Sequence, residues 1–105
     1  MKLPEGMLLQ RGYSPNVDFD LEPGMVISDR AVMSTASSQG GGFGGKHRMH
    51  ITLGPGVKGV PAKMFSAHKH EDEVLLPAGT RMLVQKVETN ANGHKQIYAI
   101  ALPNE

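Results

Sequence analysis

The sequence predicts a mainly β domain in which about seven short strands form two packed sheets. Three observations predict it. Apolar segments are short, and the clearest of them alternates with period two. Thirteen Gly and seven Pro within 105 residues place turn signals between these segments. No segment carries a convincing helical period. The length suits one domain with one core, residues 1–105.

Composition narrows the function classes. With three Phe, two Tyr and no Trp, aliphatic and Met side chains must fill the interior. A net charge of +1, with Lys and Arg scattered along the chain, argues against nucleic acid and against a polybasic membrane surface. The lack of Cys excludes disulfides, thiolate metal sites and a Cys nucleophile, and leaves the compartment open. Met1-Lys2-Leu3-Pro4-Glu5-Gly6 contains no apolar signal region, and no run approaches membrane-spanning length, so no membrane contact is expected.

Taken in order, Met7-Leu8-Leu9-Gln10-Arg11-Gly12 reads as a first strand that presents Arg11 at its end. The acidic stretch from Ser14 to Gly24 is turn-rich, with room for a single helical turn, and Pro23-Gly24 makes a tight turn before Met25-Val26-Ile27. Ala31-Val32-Met33 runs into Ser34-Thr35-Ala36. Five glycines then surround Phe43, a composition that predicts a loop because glycine loses most entropy in a regular element. That loop reads either as a flexible linker with an anchoring side chain or as part of a site. From His47 to Leu53 the alternation is strict, with Met49, Ile51 and Leu53 on one face. Further strands are expected over Val60 to Phe65, Val74 to Leu76, Arg81 to Val87 and Gln96 to Leu102, the last two joined by an Asn92-Gly93 hairpin turn.

The chemistry concentrates in His68-Lys69-His70-Glu71-Asp72-Glu73. One reading is a cupin-type metal box using His68, His70 and Glu73, with His94 as the candidate later ligand. In an extended chain, however, His68 and His70 point away from Glu71 and Glu73, so a shared ion needs a bulge or turn. Solvated loop histidines and a charged strand edge are the plain alternatives. The other reading uses the carboxylates. Two on one face can divide labour, one staying ionised beside a developing cation and the other accepting a proton.

Three short motifs then occur in a telling order: Arg11-Gly12, Ser34-Thr35-Ala36 and Glu71-Asp72-Glu73 ahead of Leu-Leu-Pro. This order resembles the Arg, Ser-Thr-Ser and Glu-x-Glu motifs of the mono-ADP-ribosyltransferase toxins. Phe43-Gly44-Gly45-Lys46, the strand after it and Gly-Pro-Gly-Val-Lys-Gly resemble the corresponding loop, strand and turn of clostridial exoenzyme-type transferases. The similarity runs from Met7 to Pro103.

The resemblance implies an α+β, predominantly β fold: an ADP-ribosyltransferase-like core lacking most of the N-terminal helices. It implies NAD as co-substrate and transfer of ADP-ribose to a protein through an oxocarbenium-like intermediate, by a toxin, effector or phage-associated modifier. Arg11 would meet the phosphates or ribose of NAD, the Gly12 backbone the nicotinamide amide, and Phe43 the nicotinamide ring. Lys46 would stand where the family has an Arg for the pyrophosphate. Ser34, with Thr35 beside it, would hold Glu73 or the nicotinamide. Glu73 would bind the ribose 2′-hydroxyl and stabilise the cation, and Glu71 would orient and deprotonate the acceptor. Glu at that first position implies an arginine acceptor, and no metal is implied. Ala36 replaces the last Ser of the middle motif. The helical segment that in the family precedes the Arg strand has no counterpart before Met7. This leaves three alternatives: the C-terminal part of a larger protein, a minimal enzyme, or a domain whose lid comes from a partner chain.

Overall fold

The strict alternation from His47 to Leu53 becomes the central strand of the protein. In the computed structural model, which describes residues 2–13, 20–37, 47–61 and 73–104, these residues form β4 (His47–Leu53). Its odd-numbered residues are buried and its even-numbered ones half-buried. Around it run β1 (Leu8–Tyr13), β2 (Val26–Ser28), β3 (Met33–Ala36), β5 (Val60–Pro61), β6 (Glu73–Leu76), β7 (Arg81–Thr89) and β8 (Lys95–Ala101). Among the described residues there is no helix.

The strands form one sheet in the order β2-β7-β8-β4-β1-β3-β6-β5, where seven strands in two sheets were expected. The reason lies at one junction. β1 pairs with β4 along its whole length, from Leu8 opposite Thr52 to Tyr13 opposite His47. With β3 it pairs only at Gln10 opposite Ala36. That single rung makes five strands and three strands one sheet by hydrogen bonding, although they separate on either side of it. One apolar cluster draws on both parts, with Leu9, Met49, Ile51, Met82 and Ile97 from the five strands and Met33, Val74 and Leu76 from the three. A sheet can bury such a cluster only by folding over itself, which a narrow junction permits.

Local chemistry explains the element boundaries. β4 and β8 are parallel, Met49 opposite Ile97 and Ile51 opposite Ala99, while the other pairings are antiparallel. β7 runs two residues beyond the expected Val87, because a bulge between Val84 and Lys86 resets its alternation. Met82 and Val84 point inward before the bulge, and Val87 packs on the same core after it. The β7–β8 turn is built by Asn90, whose Oδ1 accepts from the amides of Asn92 and His94, each at 3.0 Å. Gly93 closes it at φ 80°. Ala31 and Val32 stay exposed, so β3 begins only at Met33. Of the strand expected over 60–65, Val60 and Pro61 form β5 and the remainder lies outside the described residues, as does most of the stretch in which a helical turn was expected.

Leu8 and Leu9 test this arrangement, since neighbouring strand residues face opposite ways: Leu8 is 66% exposed and Leu9 1%. Leu9→Ala should cost about 2–5 kcal/mol in urea unfolding, whereas Leu8→Ala should stay within about 0.5 kcal/mol.

Candidate active site

The junction that folds the sheet also gathers the predicted site residues. Gln10, Ala36 and Glu73 form one continuous rung across β1, β3 and β6, Gln10 opposite Ala36 and Ala36 opposite Glu73. Two strand spacings therefore separate Gln10 from Glu73, about 10 Å. Ser34 lies opposite Leu75. It thus shares a face with Glu73 and is its diagonal neighbour, a relation that places Cβ atoms about 7–8 Å apart, within reach of a polar side chain. Glu73 is the first residue of β6 itself, whereas the sequence suggested that it precedes the strand. It is 7% exposed, with partners for its side chain or backbone.

Arg11 comes from the opposite face of β1, the one that carries Leu9 and Tyr13. Beyond the Gln10 rung the β1–β3 ladder has ended, and the Arg11 side chain takes over the link. Its Nη1 donates to the main-chain carbonyl of Ser34 at 2.9 Å. The guanidinium carbon lies 5.2 Å from the centre of the Tyr13 ring. The Arg11 Nε–H is buried and has no hydrogen-bond partner among the described residues. A buried donor without a partner costs about 1–3 kcal/mol, and an anionic or hydroxylic ligand is a fitting acceptor for it.

The middle motif divides its roles. Thr35 turns inward, fully buried, and its Oγ1 donates to the Val74 carbonyl at 2.8 Å, tying β3 to β6. Its place is structural, beside the site. Ser34 is half-buried on the Glu73 face, and Ala36 carries the shared rung. Gly12 sits opposite Arg48 near the end of β1. Among the described residues no strand pairs with the other edge of β1 beyond Gln10.

Tyr13 is the residue that motif reasoning passed over. Simple alternation along β1 points to it, since Leu9, Arg11 and Tyr13 share a face. Burial pushes its phenol pKa up, the charge and hydrogen bonding of Arg11 oppose the rise, and the charge of Asp29 adds to it.

Phe43, Lys46 and Glu71 lie outside the described residues, as do His68 and His70 of the metal reading. Of the remaining metal candidates, Glu73 is committed to β6, and His94 lies beside the His47 ring at a 6.0 Å centroid separation. No group of three or more His, Asp or Glu side chains able to hold a metal occurs among the described residues.

Known proteins share this fold. The family model described as ADP-ribosyltransferase exoenzyme matches residues 14–102. No curated protein matches by sequence. Among solved structures, the chain is similar to an ADP-ribosyltransferase from Clostridium botulinum, with a TM-score of 0.78 and 18% identity over 96% of this chain and 62% of that one. It is similar to the C3 exoenzyme of Clostridium limosum, with a TM-score of 0.78 and 21% identity over 97% of this chain and 62% of that one. A protein from S. aureus, solved with NAD, gives a TM-score of 0.76 and 18% identity over 96% of this chain and 64% of that one. The chain thus spans less than two thirds of each of these solved chains.

The Thr35 bond can be tested apart from any ligand. Thr35→Val keeps the side-chain shape and deletes the hydroxyl, and should lower stability by about 1 kcal/mol in chemical denaturation without changing the oligomeric state.

Proposed function

This chain belongs to the ADP-ribosyltransferase exoenzyme family, and from that premise we propose that it is an NAD-dependent mono-ADP-ribosyltransferase that modifies an arginine of a target protein. Residues 1–105 act in this reading as one ADP-ribosyltransferase-like domain. The observation that carries it is the junction: Glu73 and Ser34 share one face on adjacent strands, and the Arg11 guanidinium is fixed to the Ser34 carbonyl.

The bond to be broken joins the ribose C1′ of NAD to the nicotinamide nitrogen. Its electron pair leaves with nicotinamide, and an acceptor nitrogen forms the new bond to C1′. Each residue has a part in that exchange. Arg11 supplies a fixed cation and a free Nε–H for a phosphate or ribose oxygen. Ser34 orients Glu73 across the β3–β6 pair. Glu73, held in a buried strand, accepts a hydrogen bond from the ribose 2′-hydroxyl and places its negative charge beside the carbon that becomes positive, where low dielectric strengthens the effect. Glu71 takes the proton that the acceptor nitrogen must lose. Phe43 and Lys46 cover the nicotinamide and the pyrophosphate, with Gly12 at the amide. The Glu-x-Glu form of the motif supports arginine as acceptor, since a guanidinium must lose a proton to attack and Glu71 is the base two residues from Glu73.

Incubation with labelled NAD, with and without a guanidino acceptor, tests the assignment. Glu73→Gln should lower both NAD hydrolysis and transfer by at least about a hundredfold; activity that survives this change would sink the mechanism. Glu71→Gln should abolish transfer while sparing most hydrolysis, and equal loss of both would show that the two glutamates do not divide the work. Arg11→Lys should raise the KM for NAD about tenfold, because an ammonium cannot reproduce the planar fork.

A further inference from the structure

We propose that Tyr13 is the positioning residue for Arg11, holding the guanidinium in the orientation that the ligand meets. The proposal rests on the reading of this site as one that takes NAD, and it adds a residue outside the three motifs.

The argument begins with what the Ser34 bond leaves undone. The bond from Nη1 to the Ser34 carbonyl fixes a point on the guanidinium, and beyond it the contacts are with Tyr13, whose phenol hydrogen bonds with Arg11. The Tyr13 ring supplies a further constraint: the guanidinium carbon stands 5.2 Å from the ring centre, within the range at which a cation is held by an aromatic ring. Tyr13 is itself secured. Its backbone forms the last register pair between β1 and β4, opposite His47, and its ring packs against the core.

The Nε–H reports on that orientation. It is buried and unpartnered among the described residues, while Nη1 on the same group is engaged. A freely rotating arginine would bring that donor to water or to a neighbouring carbonyl, since an unmet buried donor is costly. Among the described residues Tyr13 is the side chain whose ring stands against this guanidinium and whose phenol shares a hydrogen bond with it. The phenol responds to the same proximity: the charge and hydrogen bonding of Arg11 both act on its ionisation against the effect of burial.

The experiment uses the whole chain and compares Tyr13→Phe, which keeps the ring, with Tyr13→Met, which keeps much of the volume without a ring face. Two readouts are needed. The first, without ligand, is the side-chain Nε–H resonance of Arg11 by NMR, to be distinguished from those of Arg30, Arg48 and Arg81. It should be slow to exchange and ring-shifted in the parent and in Tyr13→Phe, and should lose both properties in Tyr13→Met. The second is NAD affinity by calorimetry, with steady-state kinetics beside it. Tyr13→Phe should bind within about twofold of the parent, while Tyr13→Met should weaken Kd and raise KM about tenfold with kcat at saturation little changed. In an Arg11→Lys background, Tyr13→Met should add less than about a twofold loss, since its effect passes through the guanidinium.

An unaltered Arg11 resonance and unaltered affinity in a folded Tyr13→Met protein would overturn the proposal. Equal losses in Tyr13→Phe and Tyr13→Met would overturn it as well, because the ring would then not be the operative feature. Should Tyr13→Met fail to fold, Tyr13→Leu takes its place under the same criteria. A parent chain that shows the protected Arg11 resonance, sensitive to loss of the Tyr13 ring, but binds no NAD would uphold the positioning of Arg11 and sink the transferase reading instead.

Discussion

The hydrogen bond from Arg11 Nη1 to the Ser34 carbonyl stands at the point on which the architecture turns. β1 and β3 are joined by one ladder rung, Gln10 with Ala36, and a single rung between two strands is a weak seam. Past it, the main-chain groups of β3 can no longer find partners on β1 by ordinary pairing. A buried carbonyl left without a donor would destabilise the seam by about as much as one hydrogen bond contributes. The side chain of Arg11 reaches across the gap and satisfies it. Through this contact the five-stranded part and the three-stranded part separate without leaving the backbone at the opening unsatisfied.

The same opening is where chemistry can be placed. Strands that remained fully paired would cover the edge of β1 and leave no room for a ligand beside Glu73. Parting them leaves that edge without a strand partner among the described residues, with Arg11 and Ser34 beside it. Thr35, one step from Ser34, faces the other way and spends its hydroxyl on the Val74 carbonyl, which holds β3 to β6 next to the site. The alternation of the strand thus assigns Thr35 to the scaffold and Ser34 to the cleft.

How much of this could be read beforehand depends on range. The pattern Met49, Ile51, Leu53 made β4 legible, because alternation is local and one strand long. The Asn90–Gly93 turn was legible for the same reason, although Asn90 carries most of its hydrogen bonds and the sequence drew attention to Asn92. Sheet number was not legible. It depends on one pairing, Gln10 with Ala36, between residues 26 apart in the chain, and periodicity carries no record of which strands meet. The bulge in β7 escaped notice because Gln85 fits an ordinary alternation until Val87 is seen packing inward with Met82 and Val84. Arg11, Ser34 and Glu73 were singled out by the order of motifs rather than by geometry. Tyr13 belongs to no motif and was overlooked, although its spacing of two from Arg11 was in plain view.

An arginine held with one nitrogen engaged and another unmet is a conformation that stability alone would not select. Its Nε–H costs about 1–3 kcal/mol while unpartnered, a noticeable fraction of what holds a domain of this size folded. Local rules that fail in a well-packed protein tend to fail at functional sites, where an arrangement poor for the free protein is good for the complex. A ligand oxygen reaches such a donor only once the groups that bury it shift, yet its desolvation cost was already met on folding. Preorganisation of this kind transfers part of the folding free energy to binding. On that argument the Nε–H, unpartnered among the described residues, sets Arg11 apart from an arginine placed for stability alone.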